Sequence, residues 1–298
     1  MKKLIFAGSG VALVPPMKQD GSVNYETLER LVGFHLQSGT DAIVACATTG
    51  ESPALSREEH CKIIEFIAKK VKKKIPVIAS SGSNNTQPAV ELSLAMQEAG
   101  ADALLLITPY YNKTSQAGFV KHFYYIADRV SLPILLYNIP SRTGCNIKPE
   151  TYQKLAEHPR IVGTKEANGD LAACAKTLSL CGDQLAVYSG EDNQTLPILS
   201  LGGKGVISVF ANVLPKVMKQ ICADYLTGNV EASRKSFLNS LELMDALFWD
   251  VNPIPVKAAL DEMGFDCGEC RLPLTSMSDE LAGKLHKVLQ KYQLVHES

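Results

Sequence analysis

An α/β fold, a (β/α)₈ TIM barrel with a C-terminal helical extension, is predicted from three features of the chain. Short apolar runs rich in β-branched residues alternate with segments of helical period, the pattern of a parallel sheet covered on its outer face. Eight such runs lie between residues 10 and 210 of the 298, the repeat number of a closed barrel. The fingerprints of nucleotide-binding open sheets are missing: "GSGVAL" lacks the last glycine of G-x-G-x-x-G, and "LGGKGVIS" is no phosphate-binding loop.

In chain order the predicted strands are "GVALVP" (10–15), "DAIVACA" (41–47), "IPVIASS" (75–81) and "DALLLIT" (102–108). They continue with "PILLYN" (133–138), "RIVGTKE" (160–166), "LAVYSG" (185–190) and "KGVISVF" (204–210). Between the first two, Tyr25, Leu28, Leu31, Val32 and Leu36 recur at helical spacing behind Asn24, a capping residue. The next helix starts at Ser56 with Glu59 three residues on, a capping box, and continues through Ile63, Ile64, Ile67 and Val71. Residues 1–212 are expected to form the catalytic barrel. Residues 213–298 are expected to hold its last helix and further helices, ending with Leu281, Leu285, Val288, Leu289 and Tyr292. No Pro-, Gly- or Ser-rich linker separates the two.

Composition narrows the function. Hydrophobic residues make 46% of the chain and charged residues 20%, with a formal net charge of -1, the balance of a soluble globular protein. The one basic run, "KKVKKK" at 69–74, ends a helical pattern, where lysines complement the helix dipole, so no nucleic-acid partner is expected. No apolar run reaches the roughly 18 residues of a membrane span. The N-terminal "LIFAGSGVALVPP" is broken by glycines and prolines and reads as a first strand and its loop rather than a signal peptide. A cytoplasmic location is expected.

The eight cysteines, Cys46, Cys61, Cys145, Cys174, Cys181, Cys222, Cys267 and Cys270, are scattered through a chain with ample core and read as reduced thiols. Cys267 and Cys270 form a CxxC, but no second pair of ligands stands at zinc-site spacing, so no metal is expected. His35, His60, His122, His158, His286 and His296 lie mostly in helical segments and are expected on helix surfaces or ends. No Ser-His-acid set can be assembled from strand ends.

Reactive groups of such barrels sit where strands end and the βα loops gather. Strand two ends in Thr48-Thr49-Gly50-Glu51, strand four in Thr108-Pro109-Tyr110-Tyr111-Asn112 and strand five in Tyr137-Asn138-Ile139-Pro140-Ser141-Arg142. Strand six delivers Lys165-Glu166, and strand eight Ile207-Ser208. A lysine in water, with a pKa of about 10.4, is ammonium at neutral pH, but burial disfavours the charged form. The free amine condenses with a keto group to a Schiff base that makes the neighbouring carbon acidic. Tyrosine and threonine hydroxyls can shuttle the protons, and an arginine offers a fixed fork to a carboxylate. The set fits aldol-type addition or cleavage of a 2-keto acid. Neither the motif nor the chemistry gives Glu166 a role.

Along nearly its whole length the chain resembles the dihydrodipicolinate synthase (4-hydroxy-tetrahydrodipicolinate synthase) family, in the class I aldolase group that also holds N-acetylneuraminate lyase. The motifs "GVALVPP", "ATTGES", "TPYYNKTSQ", "YNIPSRTG", "GTKEANGD", "LGGKGVISVFAN", "NPIPVKAAL" and "RLPLTSMS" stand in the family's order and spacing. The resemblance implies that Lys165 forms the Schiff base with pyruvate and that Tyr137 donates and accepts protons beside it. It further implies that Thr48 and Tyr111 complete a relay, with Tyr111 reaching in from a neighbouring subunit of a homotetramer. Thr49 and the main chain at Ile207 would hold pyruvate, and Arg142 the carboxylate of L-aspartate 4-semialdehyde. The paired threonines and Arg142 resemble the synthase branch rather than the lyase branch; a related 2-keto acid aldolase is the alternative, and a non-catalytic barrel would be marked by loss of the lysine or the tyrosines. In feedback-inhibited members lysine binds near the positions of Ser52, Pro53, Arg57, His60, Asn84, Pro88 and Tyr110. Arg57 and Pro88 replace a histidine and an acid there, which implies weak or absent lysine inhibition.

Overall fold

The computed structural model describes residues 2–295, and His296 therefore lies outside the described residues. Among the described residues eight parallel strands close into a barrel in sequence order, β8 pairing back onto β1. They are β1 (Gly8–Ala12), β2 (Ala42–Ala45), β3 (Val77–Ser80), β4 (Ala103–Ile107), β5 (Ile134–Asn138), β6 (Ile161–Glu166), β7 (Ala186–Ser189) and β8 (Gly205–Ser208). β1 begins two residues before its apolar run and stops at Ala12, ahead of Pro15 and Pro16, which offer no N–H to a ladder. The strands are buried almost throughout, because both faces of the sheet are covered. In β4, Ala103 and Leu105 fill the barrel interior, while Leu104 and Leu106 pack against the surrounding helices.

The helices that follow the strands are α1 (Tyr25–Gln37), α2 (Arg57–Val71), α3 (Thr86–Glu98), α4 (Gln116–Ala127), the single turn α5 (Pro140–Thr143) with α6 (Pro149–Leu155), α7 (Leu171–Cys181), α8 (Thr195–Ser200) and α9 (Pro215–Leu226). Asn24 caps α1 by accepting from the Thr27 N–H, and Ser56 and Glu59 cap α2 reciprocally, as their spacing predicts. α9 packs on β1. Beyond it lie α10 (Val230–Ala246), α11 (Ile254–Glu262) and α12 (Asp279–Lys291), the last burying Leu285, Val288 and Leu289.

The basic run ends α2: Lys69 pairs with Glu65, Lys70 with Glu29 and Lys73 with Asp102, so neighbouring acids divide its charge. Cys267 and Cys270 are free thiols. Three histidines depart from the expected surface positions. His35, His60 and His122 are buried, because each falls on the buried stripe of its helix, α1, α2 or α4. Burial pushes their imidazoles down, to about 3 for His35 and about 4 for His122. His35 Nδ1 shares a 3.1 Å hydrogen bond with Thr40 Oγ1. His286 is on α12, and His158 follows α6.

Candidate active site

The direction in which Lys165 points depends on an irregularity in β6. Ile161 pairs with Ile134, but the next pair is Gly163 with Leu135, so Val162 is an extra residue, a β-bulge. Ile161 packs outward against the helices. Without the bulge, period-two alternation would send Lys165 outward with it. The extra residue reverses the phase, and Gly163 takes the inward position, where an added Cβ would lie 2.7 Å from the Leu135 side chain. Lys165 then sits beside Tyr137 in register, inside the barrel, and Glu166 sits beside Asn138, outside it.

Lys165 is 3% exposed. Its Nζ lies 4.2 Å from the centroid of the Tyr137 ring, and among the described residues it makes no ion pair. A cavity of about 270 Å³ opens above it, lined by Thr48, Thr49, Tyr137, Arg142, Lys165 and Asn252 together with Glu191 and Asp192. Five of the seven expected site residues therefore meet at one mouth. Arg142 comes from α5, which Pro140 starts and Gly144 ends in a left-handed conformation.

Ile207 and Tyr111 are placed differently. Ile207 is fully buried on β8 and is not part of that lining. Tyr111 is 90% exposed, with φ at +69°, and is likewise outside the lining of its own chain's cavity.

Several neighbours of the site escape a reading of strand ends for hydroxyls and cations. Asp192 is buried just after β7; its Oδ2 accepts from the N–H groups of Val209 (3.0 Å) and Phe210 (2.8 Å), while Oδ1 has no partner among the described residues. Burial pushes the Asp192 and Glu191 carboxyls up, against the pull of Lys165. The only sequence signal is "GED" directly after β7. Asn252 arrives from the segment before α11, about 200 residues after the loop it touches, beyond the reach of any local pattern.

Glu166 faces away from the cavity. Its carboxylate accepts from Tyr152 Oη (2.8 Å), Asn138 Nδ2 (2.9 Å) and the Asn168 N–H (3.1 Å). Burial pushes it up to about 7, these hydrogen bonds opposing the shift.

A larger cavity of about 470 Å³ shares Thr48, Tyr137 and Arg142 with the first and extends past Ser52, Arg57, His60, Pro88 and Tyr110. The smaller cavity holds the lysine, and the larger one collects most of the positions that the resemblance associates with feedback.

A model of the dihydrodipicolinate synthetase family matches residues 5–292. The chain is 48% identical to the 4-hydroxy-tetrahydrodipicolinate synthase of Acetivibrio thermocellus, across 99% of this chain and 100% of that one. It is 50% identical to the enzyme of the same name from Thermoanaerobacter pseudethanolicus, across 99% of each. Its structure matches a chloride-inhibited dihydrodipicolinate synthase from Acinetobacter baumannii complexed with pyruvate, with a TM-score of 0.96 and 42% identity over 98% of this chain and 100% of that one.

Proposed function

Because the chain belongs to the dihydrodipicolinate synthetase family, we propose that it condenses pyruvate with L-aspartate 4-semialdehyde to give 4-hydroxy-tetrahydrodipicolinate, a step toward diaminopimelate and lysine. The observation that carries this reading is a buried lysine without an ion-pair partner among the described residues, set against a tyrosine ring at the floor of a small cavity.

Lys165 Nζ adds to the keto carbon of pyruvate, and the carbinolamine loses water to leave an imine. The imine draws electrons from the adjacent methyl, which gives up a proton and becomes the nucleophilic carbon of an enamine. That carbon bonds to the aldehyde carbon of the second substrate, whose oxygen takes up a proton. The substrate's amino group then attacks the imine carbon, closes the ring and expels Lys165. Tyr137 is the nearest proton carrier, with Thr48 beside it. Thr49 and the Ile207 main chain hold pyruvate, and the Arg142 guanidinium receives the carboxylate of the semialdehyde. No metal or organic cofactor is needed, since the imine is the electron sink.

Tyr111 completes the relay from a neighbouring copy in a homotetramer; its exposure and its position outside its own chain's cavity support that reading. The enzyme works in the cytoplasm; no described helix is long and apolar enough to cross a membrane. Residues 1–212 are its catalytic barrel, and 213–298 its last barrel helix and helical extension. Lysine inhibits weakly or not at all, and inhibition at low micromolar lysine would overturn that.

Borohydride reduction with pyruvate, followed by mass analysis, should place a pyruvyl adduct on Lys165; its absence sinks the reading. Supplying aspartate semialdehyde and N-acetylneuraminate in parallel separates synthase from lyase, and only the first should be consumed. An active enzyme that sediments strictly as a monomer would remove Tyr111 from the relay.

A further inference from the structure

The loop carrying Thr48 and Thr49 is wound tightly. Cys46 and Glu51 flank it with φ of +56° and +49°, a left-handed backbone that side chains disfavour. Between them, a Cβ on Gly50 would lie 2.8 Å from the backbone of Cys46 and Ala47. Such a loop keeps its shape only if its surroundings impose it.

The restraint comes from the far end of the chain. Glu51 Oε1 accepts from Lys257 Nζ at 2.9 Å, and Oε2 from the Arg271 N–H at 2.8 Å. Lys257 also donates to the Glu269 carbonyl at 2.8 Å. The Glu51 and Lys257 side chains are 1% and 2% exposed. Asn252 Nδ2 donates to Thr49 Oγ1 at 3.0 Å, with both residues buried. A hydroxyl that accepts from an amide has its own hydrogen free for another acceptor. The cavity that Thr49 lines together with Lys165 is the open space in which such an acceptor can sit.

We propose that Asn252 is a positioning residue for the keto acid: its amide turns the Thr49 hydroxyl hydrogen into the Lys165 cavity, while the Glu51–Lys257 pair holds the loop that carries it. The inference rests on the reading that Thr49 binds pyruvate. A buried ion pair is often dispensable for stability when both partners are replaced by neutral groups of similar volume. Its use here is geometric, keeping the Thr49 hydroxyl within reach of a carboxylate bound above Lys165.

The test measures the pyruvate concentration that half-saturates borohydride-trappable adduct on the full-length protein. Asn252→Ala should raise it about tenfold, the worth of one oriented hydrogen bond. Asn252→Asp is nearly isosteric, but its carboxylate only accepts, so it draws the Thr49 hydrogen away from the cavity; it should be worse than Asn252→Ala. Thr49→Val should match Asn252→Ala, and in the Thr49→Val background neither change at Asn252 should add more than about twofold. The double variant Glu51→Gln, Lys257→Met should fold and still show a rise of about tenfold. An Asn252→Asp protein that traps like the unaltered enzyme overturns the proposal, as do penalties that persist undiminished in the Thr49→Val background. If the unaltered enzyme forms no adduct at any pyruvate concentration, the proposed function fails instead.

Discussion

Lys165 and Glu166 are chain neighbours, both ionisable and both 3% exposed, yet they occupy opposite kinds of surroundings. Inside the barrel, the Lys165 amine has a tyrosine face, a cavity and no ion-pair partner among the described residues. Outside it, the Glu166 carboxylate receives hydrogen bonds from Tyr152, Asn138 and the Asn168 backbone. Depth alone does not set the two apart; what does is how much bonding capacity the folded chain has already used. Glu166 ties β5 and β6 to α6, whereas no ion pair among the described residues engages Lys165 beside its cavity.

The sharpest way to break this comparison is Lys165→Met. Turnover should fall by at least about 10³-fold while the denaturation midpoint stays the same or rises, since a buried polar group without an ion-pair partner among the described residues is traded for an apolar chain. A large loss of stability would mean that Lys165 is structural after all. Tyr137→Phe, on the same inner face, should lower kcat about 10²-fold, the usual worth of one positioned proton carrier, with no change in urea unfolding.

Outside the barrel the sign of the effect reverses. Glu166→Ala leaves the buried Tyr152 hydroxyl and Asn138 amide without this acceptor, and it should cost about 3 kcal/mol in urea titration while kcat stays within about tenfold. A kcat loss as large as that of Tyr137→Phe would give Glu166 a chemical role. The smallest effect is a slope. With its pKa raised from 4.5 to about 7 by burial, Glu166 holds its proton more tightly in the folded state than in the unfolded chain. Its contribution is complete below about pH 4.5 and is lost as pH rises through about 7, about 3 kcal/mol at most. Glu166→Gln should flatten the fall in stability between those values, while the pH profile of kcat keeps its shape.

The barrel was legible from the sequence because continuous apolar strands, capped helices and an eightfold repeat all report local chemistry. Each of the eight apolar runs became a strand, and Asn24 and Ser56 cap the helices their spacing indicated. Strand ends also led to the five residues that meet at the small cavity. Three buried histidines were misjudged, since a polar residue on an apolar helix stripe does not announce which of its edges is covered. The Glu51–Lys257 pair and the Asn252 contact could not be read, because 206 and 203 residues separate the partners and no local pattern links them. Alternation within β6 would have misled: counted from Ile161, it turns Lys165 toward the helices.

That last point gives the bulge at Val162 a meaning beyond local geometry. A strand offers two lists of side chains, odd and even, and one unpaired residue decides which list the barrel interior reads. Here it selects between an amine and a carboxyl that differ by a single step along the chain. Which side chain the mouth presents is therefore written in a count of residues as much as in their kinds, and a homologue with the same motif but one residue fewer between the start of β6 and its lysine would turn the same amine into its barrel only if its strand ran without the bulge.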